Sequence, residues 1–190
     1  DGRMLAVFAS SARVEPLLAE HGVSIVCFNS ASETVVGGSR CAIENCARAA
    51  RVSGLSVAEL PIPYAFHTPL MRPAQRPLAE VLAGESFTAL RTAIYSTVIG
   101  NILPRDADIR ALLVEQLCAP VRFSEAFGRA SADIDLWLEV GPGDIFGRLA
   151  RSCGAADVYS IDAGGKSLKP LLNALAAIYT AGGDFHPGAL

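Results

Sequence analysis

The 190-residue chain is poor in charge: Asp, Glu, Lys and Arg make up 18% of it, against 51% hydrophobic residues. Ordinary soluble domains carry roughly 25% charged residues, and a chain this apolar is not intrinsically disordered. A positive excess is also missing, since 16 basic residues face 19 acidic ones for a net charge of −3. That balance argues against a partner bound through a phosphate backbone, so no nucleic acid is expected. No apolar run approaches the ~20 residues of a membrane span, and the opening DGRMLAVFASSARVEP is too briefly apolar for a signal sequence. No membrane partner is expected, and a cytoplasmic location is. The five cysteines, Cys27, Cys41, Cys46, Cys118 and Cys153, are odd in number and form no CxxC pair. Neither a disulfide framework nor a metal site is therefore expected, and they read as small buried apolar side chains.

What is present is enough to build a core, because a chain of this size can bury about 70% of its unfolded surface. Residues 4–9 read as a strand and 12–21 as a helix with Val14, Leu17 and Leu18 on one face, stopped by Gly22. Pro16 is expected in or just after that helix's first turn. Strands follow at 23–29 and 33–37 across a Ser-rich turn. Ser39 is placed to cap a helix reaching Val52, with Ile43, Cys46, Ala47 and Ala50 at the spacing of one buried face. A fourth strand is predicted over 55–62. The order βαββαβ is that of a ferredoxin-like unit, and its strands lack the basic and aromatic pattern of the RNA-binding version. Beyond Pro63 the pattern predicts helices at 70–82, 109–117, 124–132, 144–153 and 168–180, and strands at 93–99, 136–140 and 158–161. Such alternation implies α/β architecture with a parallel sheet, of which only about three strands are present. We therefore expect a small subdomain at 1–63, part of a larger one at 64–181, and the start of a linker at 182–190. The first apolar run begins right after Asp1-Gly2, and this leads to the expectation that the chain is a segment of a longer polypeptide.

Two places carry candidate chemistry. His67 lies in Tyr64-Ala65-Phe66-His67-Thr68-Pro69, between a strand and a helix, with Pro63 and Pro69 stiffening the backbone. A rigid junction suits a general base, whose imidazole must be held within reach of a nucleophile; a histidine hydrogen-bonded in a loop is the alternative. The second is the strand-to-helix turn from Gly141 to Gly147, with GxGxxxG spacing and Asp162 at the end of the next strand. It imitates a dinucleotide fingerprint, but Asp144 places negative charge where a pyrophosphate would sit, and a tight strand-to-helix turn is the favoured reading. Gly37-Gly38-Ser39-Arg40 reads as a strand exit followed by a helix cap.

Five segments in order, VSIVCFNSASETVVGG, YAFHTPLM, EQLCAPVRF, LEVGPG and LLNALAAIYTAGGDF, make the chain resemble the malonyl-CoA:acyl-carrier-protein transacylase family, in particular the acyltransferase domain of a modular polyketide synthase. The resemblance covers nearly the whole chain and implies a ferredoxin-like subdomain inserted into an α/β-hydrolase-like body. It implies transfer of a malonyl-type unit from acyl-CoA, through a serine acyl-enzyme, to the phosphopantetheine thiol of an acyl carrier protein, in polyketide and antibiotic biosynthesis. His67 matches the activating histidine, and Gln116 the residue whose backbone carbonyl orients it. Phe66 and Tyr64 lie in the motif associated with extender choice, and Asn29 in a segment lining the cleft. Phe66 points to malonyl-CoA, while Tyr64 keeps methylmalonyl-CoA open. A ketosynthase and its linker are implied as neighbours; no metal or other cofactor is implied.

The sequence departs from that pattern in one respect, for it holds no GxSxG. The nucleophilic serine is absent from the chain, which on this reading is inactive alone. A nucleotide-binding module at Gly141–Gly147 and a non-catalytic remnant are the alternatives.

Overall fold

The computed structural model describes residues 1–183, so the linker expected over 182–190 lies outside the described residues from residue 184 onward. Packing divides the chain into two units, Asp1–Ala130 and the part from Ser131 onward.

The first unit opens with β1 (Gly2–Val7), α1 (Ser11–His21), β2 (Ser24–Ser30), β3 (Glu33–Ser39), α2 (Arg40–Val52) and β4 (Val57–Glu59). The strands form one antiparallel sheet in the order β2-β3-β1-β4. Strand alternation gives it two apolar faces. One face presents Leu5, Val7 and Val36, on which α1 and α2 lay Val14, Leu17, Ile43, Cys46, Ala47 and Ala50. The other presents Met4, Ala6, Val26 and Val35, with Leu60, Ile62 and Phe66 packed against it.

Local chemistry fixes the helix ends. Gly22 takes the left-handed conformation, φ 64°, and its N–H returns to the Leu18 carbonyl, ending α1. Ser39 Oγ accepts from the Ala42 N–H at 3.3 Å, so the Gly-Gly-Ser-Arg segment is a helix cap, and Arg40 pairs with Asp1. Pro16 lies just after the first turn, as expected, although α1 begins one residue earlier, at Ser11. The strand predicted over 55–62 shrinks to Val57–Glu59, since Pro61 and Pro63 cannot donate to a ladder.

The rest of this unit comprises a 3₁₀ turn at Pro69–Met71, α3 (Arg72–Ala83), β5 (Tyr95–Ser96), β6 (Asn101–Ile102), α4 (Ile109–Glu115) and α5 (Phe123–Ala130). The strand expected over 93–99 is instead a two-residue rung: Tyr95 and Ser96 pair antiparallel with Ile102 and Asn101, and Gly100 at φ 66° turns the chain back. The expected subdomain boundary at residue 63 does not coincide with the division at Ala130. Residues past 63 are hydrogen-bonded to the first sheet: Phe28 N–H donates to the Val121 carbonyl and Val121 N–H to that of Val26, both at 2.8 Å, so Val121 adds a parallel rung to the outer strand β2.

The second unit contains a 3₁₀ turn at Ser131–Asp133, β7 (Trp137–Glu139), α6 (Ile145–Ser152), β8 (Val158–Ser160) and α7 (Lys169–Thr180). β7 and β8 pair in parallel, with Leu138 opposite Tyr159. This is the βαβ unit predicted beyond Pro63, but it is one parallel pair among the described residues rather than three strands. Among these residues no helix is long and apolar enough to cross a membrane, and no cluster of three metal-ligating side chains occurs.

Candidate active site

Main-chain atoms build the setting of His67. α4 ends at Glu115, and a helix leaves its last carbonyls without intrahelical partners. The chain turns tightly there, with the N–H groups of Cys118 and Ala119 both reaching the Glu115 carbonyl at 3.0 Å. This turn aims three further carbonyls at one residue. His67 N–H donates to Leu117 O at 3.0 Å, and its ring Nδ1 stands 2.8 Å from Gln116 O and 3.0 Å from Ala119 O.

Both Nδ1 partners are acceptors only, so Nδ1 must carry the proton. The neutral ring is therefore the Nδ1–H tautomer, and Nε2 holds the lone pair. No described hydrogen bond engages Nε2. The ring is half-buried, and the residue has φ 62°, a left-handed conformation costly for a side chain with a Cβ.

Its neighbours are fixed as firmly. Ala65 and Thr68 are each 2% exposed. Thr68 Oγ1 donates to Ala65 O at 2.7 Å and accepts from Leu70 N–H at 3.2 Å. Tyr64, exposed, and Phe66, half-buried, set their rings 5.9 Å apart at 59°. Gln75 Nε2 donates to Val114 O at 3.1 Å, joining α3 to the helix that presents the carbonyls.

Of the residues singled out from sequence, the fold brings His67, Gln116, Phe66 and Tyr64 together. Gln116 meets His67 through its main chain. Asn29 lies near the end of β2 with its amide donating to Glu33 Oε1 at 2.7 Å, and no described hydrogen bond links it to His67. Ala119 and Leu117 escaped the sequence reading because a main-chain acceptor has no side-chain signature.

The glycine turn of the second unit is already filled. Glu139, at the end of β7, accepts from the N–H groups of Phe146 and Gly147 at 2.9 Å each and from Ser160 Oγ at 2.6 Å. Asp162 accepts from Gly143 N–H at 2.7 Å. Partial burial raises the Glu139 carboxyl, but the Ser160, Gly147 and Phe146 hydrogen bonds with nearby Arg148 outweigh it and hold the group below its ordinary value. The amides that a pyrophosphate would need are bonded to the chain's own carboxylates, so the dinucleotide reading of Gly141–Gly147 fails on geometry.

Comparison with known proteins adds to this geometry. No protein-family model matches the chain. The acyltransferase domain of the iterative polyketide synthase in enediyne biosynthesis superposes with a TM-score of 0.91 at 34% identity, over 98% of this chain and 49% of that one. The conidial yellow pigment biosynthesis polyketide synthase of Emericella nidulans is 30% identical over 96% of this chain and 9% of its own length. The malonyl CoA-acyl carrier protein transacylase of Bacillus subtilis is 29% identical over 80% of this chain and 50% of its own length. The chain is a homologue of polyketide synthase acyltransferase domains and malonyl-CoA–acyl carrier protein transacylases. It spans about half the length of such transacylases and acyltransferase structures. Within this acyltransferase homologue, the junction at His67 is the place where tautomer, rigidity and an unengaged nitrogen coincide.

Proposed function

We propose that the chain is the base-bearing part of a polyketide synthase acyltransferase, moving a malonyl-type unit from coenzyme A to the phosphopantetheine thiol of an acyl carrier protein. The observation that carries this reading is the double anchoring of His67 Nδ1 on Gln116 O and Ala119 O, which leaves Nε2 as a directed base. The serine nucleophile is supplied by sequence outside these 190 residues. As its oxygen bonds to the thioester carbonyl, Nε2 accepts the hydroxyl proton; the tetrahedral adduct then expels the coenzyme A sulfur, which takes that proton. In the second half, Nε2 removes the carrier thiol's proton, the sulfur attacks the ester, and the released serine oxygen recovers the proton. No cofactor is needed, because each step is an acyl or proton transfer.

On this reading residues 1–63 are the ferredoxin-like subdomain inserted into an α/β-hydrolase-like body, and the His67 segment emerges where the chain leaves it. Tyr64 and Phe66 flank the base and set extender choice between malonyl and methylmalonyl groups; Asn29 belongs to the cleft wall. A ketosynthase and its linker are the neighbours.

The test incubates the intact polypeptide with malonyl-CoA and reads the acyl adduct by intact-mass and peptide mass spectrometry. One malonyl group on a serine, formed and discharged slowly in His67→Ala, is expected. Equal rates in the two proteins would refute the role of His67, and absence of any adduct would refute acyl transfer.

A further inference from the structure

The segment bearing His67 lies on the sheet face opposite α1 and α2, and two side chains are missing from that face where it passes. Gly2, Met4 and Ala6 of β1 alternate toward it, as do Val35 and Gly37 of β3, and Met4 is paired with Gly37. A Cβ on Gly37 would stand 2.9 Å from Val26 Cγ1 and 3.0 Å from Thr68 Cγ2, and one on Gly2 would collide with Ala65. The glycines therefore leave room for Ala65 and Thr68 to approach the sheet. Thr68 uses both branches of its side chain there. Its methyl seats over Gly37, and its hydroxyl joins Ala65 O to Leu70 N–H, bridging the two sides of His67. Buried hydroxyls that both donate and accept lock their surroundings, and a left-handed non-glycine residue persists only where the surroundings over-determine it.

We propose that Thr68 is a positioning residue for His67: seated on Gly37 and closing the Ala65–Leu70 turn, it holds the left-handed backbone that directs Nε2. The inference rests on His67 being the general base. Valine matches threonine in shape and lacks the hydroxyl, whereas serine keeps the hydroxyl and lacks the methyl.

The experiment measures malonyl transfer by the intact polypeptide in Thr68→Val, Thr68→Ser, Gly37→Ala and the reference His67→Ala. A small misplacement of a catalytic group costs on the order of 10²-fold, so Thr68→Val is expected to lower kcat roughly 10- to 100-fold with KM for malonyl-CoA nearly unchanged. Thr68→Ser is expected to recover most of that loss, which a merely structural role for side-chain bulk would not produce. Gly37→Ala, which displaces the Thr68 methyl with the hydroxyl intact, is expected to lower kcat as well, and it decides the matter if Thr68→Val does not fold. Wild-type kcat in Thr68→Val, or in Gly37→Ala where Thr68→Val is unfolded, overturns the inference while an inactive His67→Ala leaves the base intact. An active His67→Ala removes both.

Discussion

Replacing His67 by glycine and by alanine separates what its backbone costs from what its ring contributes. Both substitutions remove the two Nδ1 contacts, at 2.8 and 3.0 Å, and both keep the N–H bond to Leu117 O. The one Nδ1 proton is shared between the two carbonyls and a hydrogen bond contributes about 1 kcal/mol net, so each variant loses roughly 1 kcal/mol from the ring. The variants then part, because φ is 62°. Alanine retains a left-handed penalty of about 1–2 kcal/mol, which glycine escapes while giving up roughly 0.5–1 kcal/mol to its freer unfolded chain. The glycine variant should therefore be more stable than the alanine variant by about 0.5–1 kcal/mol. Urea unfolding of the intact polypeptide measures this as a higher midpoint at equal slope. Acyl transfer should be lost equally in both, since neither has an imidazole. A glycine variant no more stable than the alanine variant would show that the position carries no left-handed strain.

Glu139→Gln should speed hydrogen exchange at Phe146 and Gly147 about fivefold at neutral pH, corresponding to the ~1 kcal/mol typical of a helix N-terminal acceptor. Because the folded carboxyl is held below its ordinary value, its stabilisation is complete above the usual glutamate range near ~4.3 and is lost as pH falls through the lower folded value. The difference between the two proteins should vanish in strong acid; a difference that survives there would rule out the charge as its source. Cys27 is pushed up to about 12 by burial, with the Glu33 charge adding to the effect. The exposed Cys41 should react with a thiol reagent near pH ~8 while Cys27 stays protected until unfolding. The preference for the neutral Cys27 thiol stabilises the fold fully below the ordinary thiol value of ~8.5, and that contribution should decline as pH rises toward about 12. Rapid labelling of Cys27 in folded protein would contradict its burial.

The first sixty residues were legible because their signals are local. Gly22, Ser39 and Gly54 punctuate the elements, and the Ile43, Cys46, Ala47, Ala50 spacing marks a single buried face. Residues 93–99 were misread because an apolar run of strand length carries no information about its partner. Here Gly100 turned it into a two-residue hairpin. His67 could be singled out by its prolines, but the features that make it useful could not. Its left-handed backbone and the turn presenting Gln116, Leu117 and Ala119 carbonyls are properties of the main chain. Glu139 left no trace, because only the folded β7–α6 turn brings its carboxylate onto the Phe146 and Gly147 amides.

The rung that Val121 adds to β2 has a consequence for how the protein fails. The sheet has two outer strands, and an uncovered outer strand invites pairing with another chain. β4 is short, ends in Glu59 and is followed by Pro61 and Pro63, so it makes a poor template. The seven-residue β2 is irregular in register between Ile25 and Cys27 and between Phe28 and Ser30, and Val121 occupies the Val26 carbonyl and the Phe28 N–H on its outer edge. The strip supplying that cover, residues 116–121, is the one whose carbonyls hold His67. Detaching it would free the His67 ring and bare part of the β2 edge in one event.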